Sequence, residues 1–228
     1  TSIYWDDLAD YYHESVHISC DHFHLGPLLP DAGKLAILPD SIGGLRCLEL
    51  GCGGAQNSIY LARQGAACTA IDASPRQLAH ARHLACRHHV NIDFTCADMA
   101  ALPLRGDKLF DLVHSVFALP FVADQRQAVH EAASRVKPGG LLVVATAHPA
   151  FAGEWIDLDG DKGLFKASYF HPLSDTRTAL DGRAETSSQP LPLSTIAAWI
   201  CESGLALEKL LEPRPLPVAS MSVDEIQC

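Results

Sequence analysis

The sequence holds no CxxC pair among its eight cysteines, no stretch of 18 apolar residues and no run of basic residues. Without an apolar stretch of that length there is no transmembrane helix to propose, and no membrane partner. Lys plus Arg number 17 against 27 Asp plus Glu, a formal net charge of −10. That balance argues against nucleic acid as the main partner, because phosphate binding needs clustered cations. The opening Thr1-Ser2-Ile3-Tyr4-Trp5-Asp6-Asp7 lacks the basic-then-apolar layout of a secretory signal. No G-x-x-x-x-G-K-[ST] occurs, which excludes a P-loop. With 48% hydrophobic residues, 16 Gly and 14 Pro, disorder and collagen-like repeats are excluded too. Cys47, Cys68 and Cys96 sit in strand-like apolar runs, where a thiol behaves as a small hydrophobe. The expectation is a reduced, cytoplasmic chain.

A chain of 228 residues can bury about 70% of its unfolded surface without disulfides or a structural metal. From about residue 45 to 147 short apolar runs alternate with helical patterns. Residues 45–50, 67–71, 92–96, 109–114 and 140–146 read as buried strands. Residues 56–64, 75–89 and 124–136 read as helices, with Ser74-Pro75 as a start signal and Lys137-Pro138-Gly139-Gly140 as a stop. Strict alternation implies right-handed crossovers and a mostly parallel sheet covered on both faces. The fold class is α/β, doubly wound. Before this core, residues 4–17 read as a helix and 33–38 as a second short one. After it, residues 148–192 form a long segment with Trp155, Phe165, Tyr169 and Phe170, expected to be a lid or to hold a small hairpin. Residues 192–203 read as an amphipathic helix and 205–211 as a late strand.

The sharpest feature is Leu48-Glu49-Leu50-Gly51-Cys52-Gly53-Gly54, where the first strand gives way to the first helix of the core. Glycines there let backbone approach a ligand, and the helix N-terminus offers free N–H groups. A dinucleotide or an adenosyl group without phosphates fits such a place. The dinucleotide fingerprint G-x-G-x-x-G fails at its last position, which is Gln56. Asp72 closes the second strand about twenty residues beyond Gly51, where a carboxylate can accept ribose hydroxyls. Asp98, in Cys96-Ala97-Asp98-Met99, follows the third strand and is placed to accept from an adenine amino group while Met99 packs on the ring. Each acid alone reads equally as a turn or cap residue; the combined spacing favours a nucleoside.

On these residues the sequence resembles the class I S-adenosylmethionine-dependent methyltransferases, and within them the ubiquinone-methylase-like small-molecule group. The motifs carrying the resemblance are Leu48 to Gly54, Ala70-Ile71-Asp72-Ala73-Ser74, Ala97-Asp98-Met99, Phe110-Asp111-Leu112-Val113 and Val136-Lys137-Pro138-Gly139-Gly140. Trp5-Asp6-Asp7-Leu8-Ala9-Asp10-Tyr11-Tyr12 resembles the aromatic-Asp-x-x-Ala-x-x-Tyr opening of that group, whereas the family's third loop glycine is Ala55 here. The resemblance implies a Rossmann-like methyltransferase fold and one domain over 1–228. Residues 1–40 would cap it, 45–147 hold S-adenosylmethionine, 148–192 line the acceptor pocket, and 193–228 add a helix and strand. It implies cofactor contacts from Tyr12, Glu49, Gly51, Cys52, Gly53, Asp72, Ala73, Asp98, Met99, Ser115 and Phe117. The implied partner is a small organic acceptor; nothing in the sequence fixes an oligomeric state.

A general base is needed only where the acceptor must lose a proton. His114, His148 and His171 are the candidates, since histidine titrates near neutrality, with His24 a weaker one. His13 with His17, and His80 with His83, have helical spacing but no third ligand nearby, so no metal is expected. The alternative is a catalytically degenerate S-adenosylmethionine-binding module acting as a partner or regulatory subunit.

Overall fold

The computed structural model describes residues 2–16, 18–26, 29–104, 108–151, 154–158, 161–165, 168–178, 182 and 185–214. Five parallel strands form the central sheet: β1 (Arg46–Leu50), β2 (Ala67–Asp72), β3 (Ile92–Cys96), β4 (Phe110–Val116) and β5 (Val136–Ala145), in the order β3-β2-β1-β4-β5. The chain winds one way through β1, β2 and β3, then returns to start β4 on the other side of β1. The crevice of such a sheet opens where the winding reverses, at the carboxyl ends of β1 and β4.

Side-chain alternation builds a core on each face. Leu48, Leu50, Ile71 and Val113 pack on one face with Ala128 and Val129 of α4 (Gln125–Ser134) and Ile196 of α5 (Leu193–Glu202). Cys47, Cys68 and Leu112 point to the other, against Leu61 of α2 (Gln56–Arg63) and against Phe23 and Leu25 of the N-terminal loop. The third crossover helix, α3 (Pro75–Arg87), starts as its sequence signal requires. Ser74 accepts from the Gln77 N–H, and Pro75 fills the first turn. Asp111 explains two family motifs in structural terms. Its carboxylate accepts the Arg46 N–H at 2.8 Å and pairs with Lys137, joining the bases of β1, β4 and β5.

The flanks depart from expectation in detail. Helix α1 (Ser2–Ser15) forms as the apolar spacing suggests. Residues 33–38 make turns rather than a helix, since Asp31 captures the Lys34 N–H with both its carboxylate and its carbonyl. The segment 148–192 holds two hairpins, β6 (Glu154–Leu158) with β7 (Asp161–Phe165) and β8 (Asp175–Thr178) with β9 (Glu185–Ser188). Residues 205–211 form no strand among the described residues, and Leu207, Leu210 and Leu211 are exposed. The seven described cysteines are free thiols.

Candidate active site

The glycine loop is tied to β2 before any side chain acts: Gly51 N–H and Cys52 N–H both donate to the Ile71 carbonyl, at 2.8 and 3.0 Å. Gly51 is left-handed at φ +67°, and a Cβ there would stand 2.2 Å from the Ala118 Cβ. The loop after β4 thus approaches too closely for any other residue. Gly53 N–H donates to Asp72 Oδ2 at 2.8 Å, while Asp72 Oδ1 accepts Ser74 N–H at 2.9 Å. Burial raises the Asp72 carboxyl above its usual range, and these backbone donors pull it back. Cys52 is no nucleophile, because burial pushes its thiol far up.

Helix α2 begins without a side-chain cap, at Ala55, which is buried and left-handed at φ +56°. Glu49 supplies the missing acceptor from β1. Its Oε2 takes the Ser58 N–H at 3.0 Å and the Ser58 hydroxyl at 2.5 Å. Burial pushes this carboxyl up to about 7.

Helix α1 lies across the loop and the start of α3. Asp6 Oδ1 accepts from the Ser74 hydroxyl at 2.5 Å and from Arg76 N–H at 3.1 Å. Asp10 meets Arg76 and His80, and His13 Nε2 lies 2.7 Å from Gln77 Oε1. His13 also reaches Gly54, where a Cβ would come 2.7 Å from its ring. The next turn carries half-buried Tyr12 beside Trp5, and the Trp5 ring meets Phe121 edge-on at 5.1 Å. Phe121 belongs to the 3-10 turn Leu119–Phe121 after β4. Hairpin β8–β9 closes the ring from the far side: Arg177 lies 5.9 Å from Phe121, and Gln189 N–H donates to the Pro120 carbonyl at 2.7 Å.

Loop glycines, a carboxylate fixed by backbone amides and a helix N-terminus, brought together at the carboxyl ends of β1 and β2, are groups that suit an adenosyl ligand. Residues 48–144 match the family described as methyltransferase domain. These residues are a class I S-adenosylmethionine-dependent methyltransferase domain. A solved S-adenosylmethionine dependent methyltransferase from Mesorhizobium loti is 27% identical with a TM-score of 0.62, covering 78% of this chain and 81% of that one. A ubiquinone biosynthesis O-methyltransferase from Sinorhizobium fredii is 38% identical over 108 residues, 47% of this chain and 43% of the relative. Another of the same name from Xylella fastidiosa is 31% identical over 74% of this chain and 63% of its own length. The chain therefore spans less than two thirds of either curated relative.

Within the methyltransferase domain the expected cofactor residues divide. Gly51, Cys52, Gly53 and Asp72 converge at the crevice, with Ala73 exposed beside them. Asp98 is exposed and turns its carboxylate to the Ala100 N–H at 2.8 Å, while Met99 is buried in the core with Leu50 and Ile71. Ser115 is buried at the end of β4, its hydroxyl without a partner among the described residues. Phe117 is left-handed at φ +57°, its ring against Gly26.

The candidate bases also separate. His171 is exposed. His148 accepts Ala150 N–H on Nδ1 at 3.0 Å, so Nε2 carries the proton offered to Glu212 Oε1 at 2.5 Å. His114 is fully buried behind Glu49, with its ring edge on Phe23 at 4.9 Å, and it does not face the crevice. His24 is tied through its backbone to Asn57 in both directions. Asp6, Trp5, Phe121 and Arg177 were absent from the expected contacts. The first two stand in the opening motif, which was signal enough; Phe121 and Arg177 meet only through docking of the hairpin.

Proposed function

We propose that this chain transfers the methyl group of S-adenosylmethionine to a small organic acceptor by in-line displacement at carbon. The observation that carries the reading is the Asp72 carboxylate, held between Gly53 and Ser74 amides at the mouth of a left-handed glycine loop. The cofactor, when bound, supplies a methyl group already activated on a sulfonium. The protein's part is alignment and exclusion of water, effects worth up to about 7–11 kcal/mol. Glu49 and the Gly51–Gly53 backbone would shape the pocket for the methionine end, and Asp72 would accept the ribose hydroxyls. Asp98 would border the adenine. Ser115, Phe117 and Tyr12 would line the reacting end, where an aromatic face also favours a cation.

In this reading residues 1–40 cap the site, 45–147 hold the cofactor, and 148–192 form the acceptor wall with Trp5, Phe121 and Arg177. The shared name of the two curated relatives, an O-methyltransferase, supports a hydroxyl acceptor. His148 or His171 would then receive its proton, His148 by giving up the Ala150 N–H bond on its unprotonated Nδ1. Incubation with S-adenosylmethionine and a panel of phenols, amines and carboxylic acids tests the reading. Acceptor-dependent accumulation of S-adenosylhomocysteine is expected; tight cofactor binding with no product from any acceptor would favour the non-catalytic module instead.

A further inference from the structure

Glu49 and His114 face each other in register on adjacent strands, β1 and β4, beneath the glycine loop. His114 Nδ1 lies 4.0 Å from Glu49 Oε1, and neither ring nitrogen has a hydrogen-bond partner among the described residues. Both side chains are buried, His114 completely. Buried nitrogens without partners are rare, because each forfeits its bond to water without replacement. A shift of about 1 Å would close this gap into a hydrogen bond.

Imidazole suits a carboxyl that changes state. One tautomer accepts from a protonated Glu49, and the other donates to an ionised one. The groups around the pair leave it as the local titrating unit. From β2 it is faced by Asp72 and Cys68, from the N-terminal loop by His24 and Cys20, and from its own loop by Cys52. Burial pushes the Cys20 and Cys52 thiols up, the neighbouring Cys47 and then burial raise that of Cys68, and burial holds His24 down to about 4, so these four stay uncharged near neutrality. Asp72 carries charge of the same sign as an ionised Glu49 and raises it further.

We propose that the Glu49–His114 pair is a proton-linked positioning element: seating a cationic ligand in the glycine loop expels a proton from Glu49, and His114 stabilises the carboxylate left behind. This rests on the cofactor occupying that loop, two residues beyond Glu49. A cation there favours the ionised carboxylate, which in the free protein is disfavoured by burial and by Asp72. Below the Glu49 midpoint of about 7, binding must first remove the proton, so affinity falls with acidity. Ser58 keeps its bonds to Oε2 in either state, which leaves Oε1 free to exchange with His114.

Calorimetric titration with S-adenosylmethionine, which carries the sulfonium cation, from pH 5.5 to 8.5, in buffers of different ionisation heat, counts the proton directly. The ligand's own amino group titrates alike against every variant, so the difference from Glu49→Gln isolates the pair. The wild type is expected to weaken about tenfold per pH unit below 7 relative to Glu49→Gln, with up to one extra proton released per site. His114→Phe, which keeps the ring packing on Phe23, should move this proton release to higher pH; His114→Asn, which can donate or accept, should restore it toward the wild type. Identical pH dependence in wild type and Glu49→Gln would overturn the linkage while leaving the cofactor reading intact. A His114→Phe curve superimposed on the wild type would overturn the role of His114. No binding at any pH would overturn the cofactor reading and the linkage together.

Discussion

The glycine-loop edge and the proposed acceptor wall are built in different ways. At the glycine-loop edge the contacts come from backbone amides and short side chains of adjacent elements: Gly53 on Asp72, Ser74 on Asp72, Ser58 on Glu49. The proposed acceptor wall is assembled by docking across the chain. Hairpin β8–β9 is held to the turn after β4 through Gln189 and Arg177, and its strand β8 is exposed throughout. Tyr169 caps the approach to α5 by accepting the Leu193 N–H at 3.2 Å. A rigid edge suits an invariant cofactor. A wall of exposed, separately anchored side chains suits a variable acceptor.

The contrast predicts where substitutions act. Gly51→Ala should have the largest effect on the fold. Left-handed strain of about 1–2 kcal/mol adds to the overpacking against Ala118, about 1–3 kcal/mol more. Urea unfolding should show the loss, and unchanged stability would mean the loop does not sit this close to β4. Asp6→Ala removes two bonds to the start of α3, each worth about 1 kcal/mol. It should weaken S-adenosylhomocysteine binding about tenfold by releasing α1 from the loop. Arg177→Ala should act on the other side alone, raising acceptor KM severalfold while cofactor Kd stays within twofold. A cofactor effect of equal size would merge the two regions.

Acidity offers a smaller test. Burial holds His114 down to about 3 and His24 to about 4, below the usual 6.5 of an exposed imidazole. Stability from such groups is complete above pH 6.5 and is lost as pH falls toward those values. Glu49 has the opposite sign, because its carboxyl is raised: its contribution is present below about 4.5 and lost as pH rises to about 7. His114→Phe should therefore make the decline in stability between pH 6.5 and 4 shallower, as read from denaturation midpoints. The smallest effect is expected at Ala55→Gly. Relief of left-handed strain, about 1–2 kcal/mol, is offset by loss of a buried methyl worth about 0.8 kcal/mol. A net change within about 1 kcal/mol should appear in thermal unfolding.

The same contrast decides what the sequence reveals. Gly51, Gly53, Asp72 and the Ser74-Pro75 start are legible because each works within a few residues of a strand end, where spacing and local geometry are coupled. Glu49 was legible as part of the loop, but its capping of Ser58 was not, since a strand residue rarely caps the next helix. Met99 shows the limit of spacing: the residue after Asp98 was expected on the adenine, yet hydrophobic burial draws it into the core with Leu50 and Ile71. His114 was read as a candidate base because histidine titrates near neutrality, and strand alternation turns it to the face of Glu49. The strand expected at 205–211 depends on a neighbour for its hydrogen bonds, and no periodicity within the segment supplies one. Arg177 and Phe121 are 56 positions apart, and only the hairpin's docking joins them.

Asp72, positioned by the glycine loop, is the group proposed to hold the adenosyl ribose. Calorimetric titration of Asp72→Ala with S-adenosylhomocysteine beside the wild type tests it most directly. The wild type should bind one equivalent, and the variant should lose at least about a hundredfold in affinity, near 3 kcal/mol for two hydrogen bonds to a charged group. A folded Asp72→Ala protein that binds as tightly as the wild type would mean that Asp72 does not hold the ribose.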